Sequence, residues 1–137
     1  MDYNERGYGD AEIGWGDRPG VVVADFQRGF TDPALGMGGA ALIERAVGNT
    51  VKVIEAARKA GFPVAACVMG YQSAYAMPYW KIKPLREDLV EGHPSVEIDP
   101  RIAAAGPDIV VTKTAPSIFF NTWLCSFWSS SASTPWW

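Results

Sequence analysis

A carboxylate and an ammonium, each at the end of a short apolar run, are the residues of this sequence best placed to do chemistry. Asp25 closes Val21, Val22, Val23 and Ala24, and Lys113 closes residues 108–112, DIVVT. Both runs are rich in β-branched residues and lack polar alternation, the pattern of strands buried on both faces of a parallel sheet. Ligands of open α/β sheets bind outside the carboxyl ends of the strands, so the two groups are expected on one rim. A carboxylate beside an ammonium supplies what a thiol nucleophile needs: a base for its proton and a cation that favours thiolate. The plainer role for Asp25 is to cap the turn after its strand.

Other constellations are weaker. An aspartate on a first buried strand with a lysine on a later one is also the layout of haloacid-dehalogenase-type phosphatases, but the acid–base aspartate they need two positions on is Gln27 here. Gly36-Met37-Gly38-Gly39-Ala40-Ala41 fits G-x-G-x-x-A before a helix, yet it does not follow the first strand directly and no acidic residue ends the second. A nucleotide-binding module is therefore an alternative with little support. Cys67 lies mid-strand and reads as a core thiol. Cys125 lacks the strand-to-helix turn that presents a nucleophile, Ser117 reads as a capping hydroxyl, and His93 as a turn residue.

The elements that must position Asp25 and Lys113 follow from periodicity. Residues 40–60 carry Leu42, Ile43, Ala46, Val47, Val51, Ile54 and Ala57 at i, i+3, i+4 spacing, which predicts a helix closed by Gly61 and Pro63. Residues 63–69, PVAACVM, follow as a second strand, giving strand, helix, strand and a parallel pair. Residues 73–107 hold five of the ten prolines and predict a long irregular excursion with at most one short helix near residues 85–90. Such loops over a strand end are often functional. Lys113 is the last charged residue, and the stretch from Trp123 holds four of the six tryptophans without a helical or strand period. It is expected neither to pack nor to dissolve.

Bulk properties narrow the partners. At 137 residues, the chain is expected to form one domain. A net charge of −3 from 12 basic and 15 acidic residues, without long runs of one sign, gives no footprint for nucleic acid or an anionic membrane. Two cysteines and one histidine exclude a disulfide framework and HExxH-type metal sites. The polar first residues, MDYNERGYGD, lack the apolar core of a signal peptide, and no run is long enough to span a bilayer. The expectation is a reduced, cytoplasmic protein without metal or other cofactor.

VVVADFQRGFTDP, the stretches YWKIKPL and EGHPSVEIDPRI, and VVTKTAPSIFFNT together resemble the isochorismatase-like cysteine hydrolases, most of all their N-carbamoylsarcosine amidase and maleamate amidohydrolase branch. The resemblance covers about residues 13–124. It implies an α/β, three-layer, Rossmann-related parallel sheet, with Asp25 as general base and Lys113 as cation of a Cys-Asp-Lys triad. The implied reaction is hydrolysis of an amide or carbamoyl C–N bond in a small molecule through an acyl-enzyme. The implied partners are that substrate and, as in the family, further copies of the chain. The family's nucleophile motif, a glycine followed later by Cys-Val, has no counterpart before Trp137. The sequence therefore reads as an arm (residues 1–18), an incomplete hydrolase domain truncated after its third strand (19–124) and an aberrant Ser/Trp-rich tail (125–137), as a shifted reading frame would give. Such a chain is expected to be inactive alone, marginally stable and prone to aggregate; the alternative is a non-catalytic partner of full-length relatives.

Overall fold

The computed structural model describes residues 19–131. The expected arm and the last residues of the tail lie outside them. Three strands, β1 (Val21–Ala24), β2 (Val64–Met69) and β3 (Ile109–Lys113), form one parallel sheet in the order β1-β2-β3. The register pairs Ala24 with Cys67, and Cys67 with Val111, so the carboxyl ends of all three strands lie on one rim.

β1 continues into a single helical turn, α1 (Arg28–Thr31), and α2 (Ala41–Lys59) then returns the chain along the sheet. α2 forms where the apolar period predicts it. It buries Val47, Ile54 and Ala57, carries Arg58 and Lys59 in its last turn where they suit the helix dipole, and ends before Gly61 at φ 76°. Leu42, expected on the apolar face, is instead exposed.

β2 alternates its side chains between two cores. Val64 and Ala66 join Val23, Val47, Ile54, Ala57 and Ile102 on one face, and Ala65 and Cys67 join Val111, Ile118 and Leu124 on the other. Each fully buried aliphatic side chain contributes about 1.5–3 kcal/mol relative to exposure. Helices on both faces make the fold the three-layer α/β type. β2 alone is buried throughout. β1 and β3 correct the expectation of two-faced burial: Val23 and Val111 are buried, but Val22, Ala24, Val110 and Thr112 are exposed, because both strands are edges of the described sheet.

The excursion is more ordered than proline content suggests. It contains α3 (Lys83–Asp88), a second helix α4 (Pro100–Ala105), and 3-10 turns at Ala74–Ala76 and Pro94–Val96. α4 was not expected, because only Ile102 gives it a buried apolar anchor. Its ends are nonetheless spelled out: Asp99 accepts from the Arg101 N–H at 2.8 Å, Pro100 takes the first turn, and Gly106 closes it at φ 78°.

The tail gives a second correction. Residues Leu124–Ser131 form a helix, α5. Leu124, Phe127 and Trp128 are spaced i, i+3, i+4, and all three pack onto the second core, with Leu124 fully buried. Among the described residues no helix is long and apolar enough to cross a membrane.

Candidate active site

The rim of the sheet brings together the two residues singled out by their strand ends. Lys113 Nζ donates to Asp25 Oδ2 at 3.0 Å and to the carbonyl of Pro116 at 2.6 Å. The environments differ sharply: the Lys113 side chain is 2% exposed and that of Asp25 is 35% exposed. A buried ammonium is tolerable only when paired, and the aspartate pairs it while keeping one side open to solvent.

Asp25 adopts a left-handed conformation at φ 62°. That conformation costs an ordinary L-residue roughly 1–2 kcal/mol, less for aspartate, and in a well-packed structure it marks a place where geometry is imposed. Its N–H still donates to Cys67 O at 3.0 Å, one rung past the end of β1 at Ala24. The carboxylate is therefore more than a turn cap: its side chain answers Lys113, 88 positions away.

Cys67 is a core thiol, as expected, at 1% exposure. It also lies nearer the pair than sequence reasoning placed it, its Sγ donating to Asp25 Oδ1 at 3.9 Å. Strand parity would have shown this, since Cys67 pairs with Val111 and shares its face with Lys113. Burial pushes the Cys67 thiol up, which opposes the thiolate a nucleophile requires. Cys125 is exposed on α5.

The remaining candidates have local duties. His93 Nδ1 accepts from the Ser95 N–H at 3.2 Å, and Ser117 Oγ accepts from the Phe119 N–H at 3.2 Å. Gly38 lies so close to Asp32 that a Cβ there would fall 1.8 Å from its carbonyl oxygen. The glycine loop is thus explained by its own tight backbone. Among the described residues no group of three or more His, Cys, Asp or Glu could hold a metal ion.

Two features escaped sequence reasoning. Gln27 is fully buried and bonded on both ends of its amide. Beside Asp25 opens a cavity of about 310 Å³, walled by Ala24, Phe26, Phe30, Thr31, Met37 and Ile43, near the lower limit for small-molecule sites.

A charged pair at the carboxyl rim of a parallel α/β sheet, with a small apolar cavity beside Asp25, is the candidate site of this chain. Residues 19–128 match the family model described as the Isochorismatase domain, and the chain belongs to the isochorismatase family of hydrolases. It is 33% identical over 135 residues to the N-carbamoylsarcosine amidase of Arthrobacter sp., covering 94% of this chain and 50% of that protein. It is 30% identical over 125 residues to the maleamate amidohydrolase of Pseudomonas putida, covering 87% of this chain and 57% of that protein. The chain thus spans about half the length of the curated relatives it matches. Among solved structures, a cysteine hydrolase from Pseudomonas syringae aligns at TM-score 0.69 with 22% identity, over 82% of this chain and 54% of that one. The N-carbamoylsarcosine amidase of Thermoplasma acidophilum aligns at TM-score 0.65 with 24% identity, over 82% of this chain and 61% of that one. At these identities the structural matches speak for the fold, the three-stranded parallel sheet included.

Proposed function

We propose that this chain carries the base and the cation of a cysteine-dependent amidohydrolase that cleaves an amide or carbamoyl C–N bond in a small molecule. The observation that carries the reading is the 3.0 Å contact between the buried Lys113 ammonium and the Asp25 carboxylate on the open rim. Two amidohydrolases among the relatives support it.

In this reading Asp25 accepts the proton of a thiol brought to the rim, and Lys113 favours the thiolate. The thiolate attacks the carbonyl carbon, and the C=O electron pair moves onto oxygen. Collapse of that oxyanion breaks the C–N bond while the proton held by Asp25 passes to the leaving nitrogen, releasing ammonia or an amine. Water, deprotonated by Asp25, then hydrolyses the thioester and returns the thiol. In this reading the nucleophile is neither Cys67, which is buried with its thiol pushed up, nor Cys125, which is exposed in the first turn of α5 and is expected not to reach Asp25. On this reading the chain alone is expected to be inactive.

Ammonia release tests both parts. The chain alone is expected to give none from carbamoyl or maleamate-type substrates. A chimera in which residues after 121 are replaced by the second half of the Arthrobacter amidase is expected to release it. Asp25-dependent release by the chain alone would overturn the nucleophile assignment; a folded chimera with a reactive thiol and no turnover would overturn the function.

A further inference from the structure

The left-handed turn at Asp25 has an identifiable cause in the neighbouring ladder. Val21 N–H donates to Pro63 O at 2.9 Å and Asp25 N–H to Cys67 O at 3.0 Å. The register, Val21 with Val64 through Ala24 with Cys67, places the next rung on Met69. A strand that continued would fill that rung with its own peptide groups. Here the Met69 N–H donates instead to Gln27 Oε1 at 2.6 Å, and Gln27 Nε2 donates to Met69 O at 3.0 Å. A side-chain amide stands where a main-chain amide would.

The substitution frees the Asp25 backbone while leaving β2 fully bonded. The other Nε2 proton goes to Ser95 O at 2.8 Å, so both donors of the buried amide are used. Around it, Asp99 N–H donates to Phe26 O at 2.9 Å and Arg28 N–H to Glu97 O at 2.8 Å, fastening the turn to residues 95–99 of the excursion. Strained backbone persists only where its surroundings over-determine it, and these bonds do so.

We infer that Gln27 is a positioning residue: its amide replaces one backbone rung of the sheet and so sets the turn that aims the Asp25 carboxylate at Lys113. The role of that carboxylate rests on the function proposed above, but the geometry does not. A merely structural glutamine would stabilise the fold without governing the conformation of Asp25.

The test is NMR on the whole isotope-labelled chain. In the wild type, the Gln27 side-chain amide protons are expected to exchange at least roughly 100-fold more slowly than those of the exposed Gln72, the other glutamine. In Gln27→Asn, whose amide is one methylene short of Met69, and in Gln27→Leu, the Asp25 Cα and Cβ shifts are expected to move from left-handed to extended values while the β2 amides before Met69 stay protected. Gln27→Met keeps the length of the side chain and fills the buried site without an amide or a charge; it is expected to give the same displacement and serves if the other two fail to fold. Equal exchange of the two glutamines, or unchanged Asp25 shifts in any folded variant, would overturn the inference. None of these signals depends on turnover, so a failed amidase assay leaves them as predicted.

Discussion

The unequal exposure of Asp25 and Lys113 makes their removal unequal in cost. Asp25→Asn keeps the size and left-handed tolerance of residue 25 but leaves the ammonium, 2% exposed, with neutral partners only. Breaking a buried ion pair from one side costs about 3–5 kcal/mol, and the retained Pro116 carbonyl bond puts this case near 3. Lys113→Met leaves the carboxylate, 35% exposed, able to take water in place of the lost cation, so the cost is about 1 kcal/mol. The double variant removes both charges and is expected to cost less than the sum by about 2 kcal/mol. In urea unfolding followed by circular dichroism, with a slope of roughly 2 kcal/mol per molar, Asp25→Asn lowers the midpoint by about 1.5 M and Lys113→Met by about 0.5 M. Equal shifts with an additive double variant would refute the claim that burial of the lysine governs the site.

Three further outcomes follow from neighbouring geometry. In the native chain Cys125 is expected to react with a thiol reagent roughly 100-fold faster than buried Cys67, the difference vanishing in urea; comparable native rates would contradict the burial of Cys67. Burial opposes ionisation of Asp99, but hydrogen bonds from Arg101 and Thr31 outweigh it and hold the carboxyl at about 2, below an unfolded value of about 3.9. The unfolded chain then binds more protons between those values, so about 2 kcal/mol of stability is present above pH ~4 and lost as pH falls toward 2. Asp99→Asn should flatten that part of the acid-unfolding curve. Gly38→Ala, whose Cβ would meet Asp32 O, is expected to destabilise by more than about 2 kcal/mol, whereas Gly48→Ala, with open space in the middle of α2, should stabilise by roughly 0.5–1 kcal/mol in thermal melts.

Much of the fold could be read from residue patterns because its signals are local. Unbroken apolar runs gave the strands, and Asp25 and Lys113 at their ends gave the charged pair, since strand ends in a parallel sheet share a rim. α4 stayed hidden because its evidence lies in Asp99, Pro100 and Gly106 at its caps and hardly in a period. α5 stayed hidden for the opposite reason: Leu124, Phe127 and Trp128 do have a helical period, masked by the aromatic and serine-rich composition around them. The edge position of β1 and the reach of the Gln27 amide to Met69 are long-range facts that a one-dimensional pattern does not encode.

The central claim is that Asp25 and Lys113 form the charged core of an amide-cleaving site. Its most direct test is the rate of ammonia release by the chimera carrying the amidase second half, compared with its Asp25→Asn and Lys113→Met versions at equal thiol content. General-base loss costs about 10²–10⁴-fold, so kcat/KM is expected to fall at least 100-fold in Asp25→Asn and strongly in Lys113→Met. Folded variants that keep rates within a few fold of the parent would contradict the account.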